Sequence, residues 1–334
     1  MSTRAVVIER PGKLALCEVA DTEPGPGEAK VRIAYAGICG SDRDLLAGSR
    51  PPGYVRYPVI PGHEWSGIVT TVGSDVSSEL VGQPVVGEGF RACGACDACR
   101  SGDSTLCAGA YEETGFTQPG AWSDHLVLPA DLLHVLPRGS DLRSAAGLEP
   151  AACAAQAVLV GAPSASDRVA VVGGGTIGLL ATQLLDASGV RELTVFDLDP
   201  SISALARRCG ATSVSTHPDA LEGQFDLVIE AAGAAGTAEL ATRLARRGGR
   251  VVLLGIPDED DRLPTSYLVT ANLTILTVFG APPRAWDLAV AAFGRGDLDP
   301  GVLVTHEMSI ADVAEAFQLL ENPPHGLGKI LLRP

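Results

Sequence analysis

The sequence predicts an α/β chain of two domains, a compact β-rich one followed by a doubly wound parallel sheet. Three observations predict it. Short strand signals broken by Gly and Pro crowd the first third of the chain. A β-α-β-α rhythm begins after Pro150. A glycine-rich turn, Gly173-Gly174-Gly175-Thr176-Ile177-Gly178, falls between the first strand and the first helix of that rhythm. With 334 residues the chain is long enough to bury two cores.

In chain order, residues 5–9 and 30–36 read as strands, the second by its alternation of Val31, Ile33 and Tyr35. Pro24-Gly25-Pro26-Gly27 and Pro51-Pro52-Gly53 are turn signals between such runs. Residues 151–161 are Ala-rich and helical in character. Arg168–Val172 is a short β-branched run, and from it the pattern alternates: helices over 176–188, 201–209 and 238–246, strands over 192–197, 226–230 and 250–254. Two more helical segments, 285–295 and 310–321, precede a closing strand over 329–332.

Composition narrows the partners. With 25 basic against 40 acidic residues the net charge is −15, and binding to a phosphate backbone lacks its electrostatic driving force. The N-terminal run MSTRAVVIERPGK shows no apolar core of a signal peptide. Two charge-free stretches, 169–185 and 263–283, are interrupted by four glycines in one and three prolines with Asn272 in the other, so neither reads as a membrane span. The expectation is a cytoplasmic protein with no nucleic-acid or membrane partner.

The glycine turn has the spacing and context of a dinucleotide site in a Rossmann domain. Gly173 permits the tight turn, Gly175 lets the backbone approach a pyrophosphate, and Gly178 lets helix and strand pack closely. Thr176 and Ile177 open the helix whose free N–H groups face the phosphates. Asp197, 19 residues past Gly178, ends the next strand, where a carboxylate accepts hydrogen bonds from ribose hydroxyls and repels a 2′-phosphate. NAD is therefore expected, with NADP the alternative if Arg207 or Arg208 reaches a phosphate. Glu230 and Gly255 end later strands of the same half, where a cofactor role and a packing role fit equally.

Two sets of residues suggest metal. Cys93-x2-Cys96-x2-Cys99-x7-Cys107 supplies four thiolates on a polar loop, a closed tetrahedral shell suited to a structural zinc, with an iron–sulfur centre as the alternative. Cys39, His63, Glu64 and Glu149 are spread more widely, and each alone has a bland reading as a core thiol, a loop histidine or a helix N-terminal acid. Together, a Cys, a His and a Glu leave one position open for substrate, as in a catalytic zinc site.

Gly62-His63-Glu64-x2-Gly67-x5-Gly73-x2-Val76 resembles the zinc signature of the medium-chain alcohol and polyol dehydrogenases. The four-cysteine lobe and the glycine turn follow in that family's order, so the resemblance covers essentially the whole chain. It implies a GroES-like catalytic domain built from residues 1–150, with the structural zinc lobe at about 90–110, and from residues 286–334. A Rossmann NAD(P)-binding domain occupies 151–285. It implies two zinc ions per subunit, the catalytic one held by Cys39, His63 and either Glu149 or Glu64, with one glutamate ligating directly and the other acting through water. Cys153, four residues after Glu149, is a rival ligand. Ser41 matches the residue that starts the family's proton relay. The usual relay histidine is replaced by Asp44, which could carry the proton, contact the substrate, or be a solvated loop acid. Homodimers or homotetramers are implied as well.

A narrower likeness points to substrate class. Gly62-His63-Glu64-Trp65-Ser66-Gly67, Gly115-Phe116-Thr117-Gln118-Pro119-Gly120-Ala121, Thr305-His306-Glu307 and Leu332-Arg333-Pro334 look like the 2-deoxy-scyllo-inosamine dehydrogenases. These oxidise an aminocyclitol hydroxyl during aminoglycoside antibiotic biosynthesis. The expected activity is hydride transfer between a secondary alcohol of a polyol or aminocyclitol and NAD(P). The alternatives are an NAD(P)H-dependent ketone reductase and a non-catalytic, zinc-stabilised nucleotide sensor. The presence of both metal sets disfavours a zinc-free quinone reductase of the same fold.

Overall fold

The computed structural model describes residues 2–257, 261–322 and 324–334. These fall into two compact units, one formed by the chain up to Glu149 together with Pro300–Pro334, the other by Pro150–Asp299. The sequence pattern places the return to the first unit at residue 286. In the structure helix Pro283–Arg295 lies in the second unit, and the return begins at Pro300.

In the first unit, Ser2–Arg10 and Lys13–Ala20 form an antiparallel hairpin. The main sheet runs in the order Val304–Ser309, Lys329–Arg333, Glu28–Gly37, Trp65–Val72, Pro84–Gly87, Leu133–Val135, with His125–Pro129 also paired to Glu28–Gly37. Its core collects Val31, Ile33, Trp65, Trp122, Leu126 and Leu332. Trp122 packs edge-on against Phe317 at 5.8 Å, a geometry that contributes about 0.5–1.5 kcal/mol beyond area burial. Its buried indole N–H donates to the Gly37 carbonyl at 3.1 Å, so this group is satisfied.

This pairing places the candidate site. Glu28–Gly37 and Trp65–Val72 are antiparallel neighbours with Ala36 opposite Trp65. The chain just after one strand (Cys39) and just before the other (His63-Glu64) therefore meets at the same end of the sheet. The closing strand pairs antiparallel with Glu28–Gly37, Leu331 opposite Gly37, which brings Lys329 to that end too.

The second unit is a parallel sheet of six strands among the described residues. Its order is Ser213–Ser215, Glu192–Phe196, Arg168–Val172, Phe225–Glu230, Ala245–Leu253, Thr274–Thr277. Numbered within the unit this is 3-2-1-4-5-6, the Rossmann order. Val172, Phe196, Phe225, Val228 and Leu244 form its core, with the Phe196 and Phe225 rings edge-on at 5.8 Å. The helix expected over 238–246 ends at Leu244, because Ala245 already starts the next strand. Strands Ser213–Ser215 and Thr274–Thr277 and helix Thr265–Ala271 were not legible in the sequence. The strands are three and four residues long, too short for a period-2 pattern to register. Among the described residues no helix is long and apolar enough to cross a membrane.

Candidate metal and cofactor sites

Cys39 caps helix Gly40–Ala47, in extended backbone geometry, directly after the strand that ends at Gly37. One ligand atom each from Cys39, His63 and Glu64 lies within 4.8 Å of the others. Around them is a second layer of buried charge. Asp42 is fully buried, accepts the Cys39 N–H at 2.8 Å and stands 3.6 Å from His63 Nδ1. That leaves His63 Nε2 on the other side of the ring, 3.5 Å from Ser41 Oγ. Burial opposes charge on His63, but Asp42 and Cys39 outweigh it and hold its pKa well above the usual value. Lys329 Nζ donates to both Glu64 oxygens, at 2.8 and 2.7 Å, and to the Ile38 carbonyl at 3.1 Å. Gly37 is needed here, because a Cβ would collide with the Glu64 carboxylate.

The donor set fits zinc. Zinc, a borderline acid, accepts thiolate, imidazole and carboxylate alike, and three such ligands leave a position open. His63 Nδ1 and Asp42 Oδ1 are both sealed from solvent without a hydrogen-bond partner, and they face each other. This is the arrangement that fixes a ligating histidine's tautomer. Sequence reasoning missed Asp42 and Lys329. The available signals were an acid three residues after Cys39, in capping position, and one lysine opening an otherwise apolar closing strand.

The structure does not draw every expected residue into this group. Glu149 sits in the first turn of helix Leu148–Gly161 and falls outside the compact set. Burial, with Glu64 and Glu113 adding to it against His63 and Lys329, pushes its carboxyl up to about 7. Cys153 belongs to neither cluster. Among the described residues the Asp44 carboxylate makes no hydrogen bond to Ser41 or His63, and its backbone carbonyl accepts from Gly48 and Ser49.

The four sulfurs of Cys93, Cys96, Cys99 and Cys107 also lie within 4.8 Å of one another, with Cys93–Cys99 at 3.9 Å and Cys96–Cys99 at 3.4 Å. Zinc–sulfur bonds of about 2.3 Å in a tetrahedron put sulfurs about 3.8 Å apart, so the spacing fits one ion. Backbone N–H groups aim at the sulfurs, Cys93 and Gly109 at Cys107 (3.3 Å each) and Ala108 at Cys96 (3.5 Å). The Ala108 donor pushes the Cys96 thiol down to about 6, and burial pushes Cys99 up to about 12.

In the second unit the glycine turn is built for close approach. Gly173 has φ near 101°, in the left-handed region, and a Cβ on Gly178 would run into the Gly173 carbonyl. A Cβ on Gly175 would meet no atom of the described residues within 4 Å, so open space lies where a pyrophosphate would approach. Asp197 Oδ2 accepts the Gly174 N–H at 2.6 Å and Oδ1 the Asp199 N–H at 2.8 Å, which orients the carboxylate beside the turn. Arg207 donates to the Thr212 carbonyl at 3.1 Å. Glu230 is buried and accepts from the Ala232 and Gly233 N–H groups and the Thr237 hydroxyl, so its carboxylate staples its own loop. Gly255 packs against Gly233.

Comparison with known proteins agrees with this geometry. Residues 25–138 match the alcohol dehydrogenase GroES-like domain, and residues 176–294 the zinc-binding dehydrogenase domain. The chain is 30% identical over 315 residues to an L-threonine 3-dehydrogenase of Streptomyces coelicolor, covering 91% of this chain and 92% of that one. It belongs to the zinc-binding medium-chain alcohol dehydrogenases. A sorbitol dehydrogenase of Halalkalibacterium halodurans is 29% identical to this dehydrogenase, over 97% of it and 96% of the relative. A solved zinc-binding dehydrogenase from Sinorhizobium meliloti 1021, bound to NADP, superposes with a TM-score of 0.92 at 30% identity, covering all of both chains. The dehydrogenase is thus an enzyme of alcohol oxidation and its reverse, with zinc and a nicotinamide dinucleotide as cofactors and a small molecule as substrate.

Proposed function

We propose that this dehydrogenase oxidises a secondary alcohol of a polyol, specifically a cyclitol or aminocyclitol in aminoglycoside antibiotic biosynthesis, with NAD as acceptor. The observation that carries the reading is the compact group of Cys39, His63 and Glu64, backed by Asp42 and Lys329, in a chain that also holds the Gly173–Gly178 turn with its oriented Asp197. Zinc held there supplies a Lewis acid to the substrate oxygen, and the nicotinamide ring supplies a hydride acceptor. Cys39 and His63 bind the metal, and Glu64 or Glu149 completes the set. Asp42 orients His63, and Lys329 balances the charge of Glu64. Ser41, 3.5 Å from His63, starts the proton relay: its Oγ accepts the substrate proton as its own hydroxyl proton passes on to solvent water. The Asp197 carboxylate favours NAD, since a 2′-phosphate would meet a negative charge. The likeness to a sorbitol dehydrogenase and the short segments around Trp65-Ser66, Gly115–Ala121 and Thr305-His306-Glu307 support the polyol and aminocyclitol reading. A second zinc sits in the Cys93–Cys107 lobe, the protein works in a reducing compartment such as the cytoplasm, and it assembles as a dimer or tetramer.

The NADP-bound relative favours one second reading, reduction of a cyclitol-like ketone with NADPH. A panel of polyols, aminocyclitols and simple alcohols, assayed with NAD and NADP by absorbance of the reduced cofactor, separates the two. Aminocyclitols with NAD should give the highest kcat/KM. Turnover confined to simple alcohols would remove the polyol reading, and a strong NADP preference would support the reductive one.

A further inference from the structure

Beside His63 runs a short stretch of wall that is charged and largely buried, yet has no part in holding the candidate metal ligands. The Phe116 ring lies 4.8 Å from the His63 ring, and the Arg50 guanidinium stacks 3.8 Å from the centre of Phe116. Arg50 Nε donates to the Tyr54 carbonyl at 3.4 Å and Nη2 to the Tyr111 hydroxyl at 3.4 Å, while Nη2 stands 3.6 Å from Glu113 Oε2. The Tyr111 hydroxyl donates to the same Oε2, and its ring packs edge-on against Tyr54 at 4.6 Å. Glu113 itself is only 6% exposed.

Counting donors and acceptors shows what this arrangement leaves over. Arg50 has five N–H donors in a fixed fork, and among the described residues those on Nη1 are unengaged; the Glu113 carboxylate uses Oε2 twice, and Oε1 takes no hydrogen bond from any described residue. Neither Nη1 nor Oε1 is sealed from solvent, so each can still take a hydrogen-bond partner. The paired wall carries no net charge. A phosphate or carboxylate arriving there would face Glu113, and an ammonium would face Arg50. A neutral group that can both accept and donate meets no such opposition, and that group is a hydroxyl.

We propose that Arg50 and Glu113 are specificity-determining residues that read the hydroxyls of a polyol ring next to the one oxidised, Arg50 donating from Nη1 and Glu113 accepting at Oε1. The proposal rests on the polyol reading above. It assigns a neutral hydroxyl to this wall and directs any amino group of the substrate away from it.

The test compares wild type with Arg50→Gln, Glu113→Gln and Arg50→Lys on myo-inositol, sorbitol, sorbitol 6-phosphate and 2-propanol, with zinc content and melting temperature measured alongside. The expected result is a fall of about tenfold or more in the kcat/KM ratio of the better polyol to 2-propanol for each Gln variant, carried by KM, because a site built for a hydroxyl is left unpaired. Arg50→Lys recovers part of the loss, and the phosphorylated polyol is a poorer substrate than sorbitol for wild type. A wild type that prefers polyols while every variant keeps its ratio overturns the assignment alone. Parallel loss on polyol and 2-propanol together with zinc overturns it in favour of a structural role. Wild type that oxidises 2-propanol but no polyol overturns the polyol reading, and this assignment with it. If Arg50→Gln does not fold, Glu113→Gln and Arg50→Lys decide the matter.

Discussion

A neutral imidazole can offer a metal only one of its two nitrogens, and here the choice falls to Asp42. Its carboxylate faces His63 Nδ1 from a fully buried position and is itself held by the Cys39 N–H, so one acid orients both candidate ligands. Asp42→Asn should therefore weaken the catalytic metal by about 10–100-fold in chelator competition while the four-cysteine lobe keeps its own ion. Cys39→Ser should lower zinc from about two ions per chain to about one, with loss of activity. Two ions retained, with full turnover, would falsify the ligand assignment. The proton path is also a matter of single residues. Ser41 is within reach of His63 and Asp44 is not engaged, so Ser41→Ala should lower kcat, whereas Asp44→Asn should leave the pH dependence of turnover unchanged. At the cofactor, Asp197→Ser removes the charge that repels a 2′-phosphate. The NAD-to-NADP ratio of kcat/KM should fall by about tenfold, the equivalent of about 1.4 kcal/mol.

At the scale of elements, the decisive feature is where strands end. Glu28–Gly37, Trp65–Val72 and Lys329–Arg333 are mutually aligned so that the residues just beyond or at their ends meet, and the candidate metal group forms there from segments far apart in sequence. In the second unit the strand–turn–helix from Arg168–Val172 to Thr176–Ala187 depends on the missing side chain at Gly178, which lets the helix start close to the strand. Gly178→Ala should destabilise this element by about 1–3 kcal/mol, the range for overpacking a tight contact. It should also weaken NADH binding, read by melting temperature and cofactor fluorescence. Gly175→Ala meets no protein atom and should spare stability while still weakening the cofactor. If both variants behave alike, the distinction drawn between the two glycines is wrong.

For the whole molecule, the excess of acid groups is a stability matter more than a functional one. Lys30 lowers the Asp21 pKa and Arg168 that of Glu192; at Asp124 and Asp226 burial acts the other way, but Arg4, and Arg168 with Arg246, outweigh it. Folded-state values below the unfolded ones mean that this stability is fully present above about pH 5 and is lost as pH falls through the folded values, from about 4 downward. The melting temperature should accordingly drop steeply below about pH 4. A flat profile down to pH 3 would show that these pairs contribute nothing.

The same scale separates what was legible in the residues from what was not. The sequence by itself determined the local chemistry: the four-cysteine spacing, the glycine turn after Arg168–Val172, Asp197 at the end of the next strand, and the parallel α/β texture of the second unit. Each of these is a pattern within a few tens of residues, set by side-chain type and by the periods of helix and strand. The tertiary structure alone brings Glu64 within 4.8 Å of Cys39 and His63 and sets Asp42 and Lys329 in contact with them, while the Asp44 carboxylate makes no hydrogen bond to Ser41 or His63 among the described residues. It also paired Arg50 with Glu113, 63 residues later in the chain. The reason is physical. Burial and ion pairing between distant segments follow from strand register and chain return, which a linear pattern does not encode, whereas turn geometry and metal-ligand spacing are written in neighbouring residues.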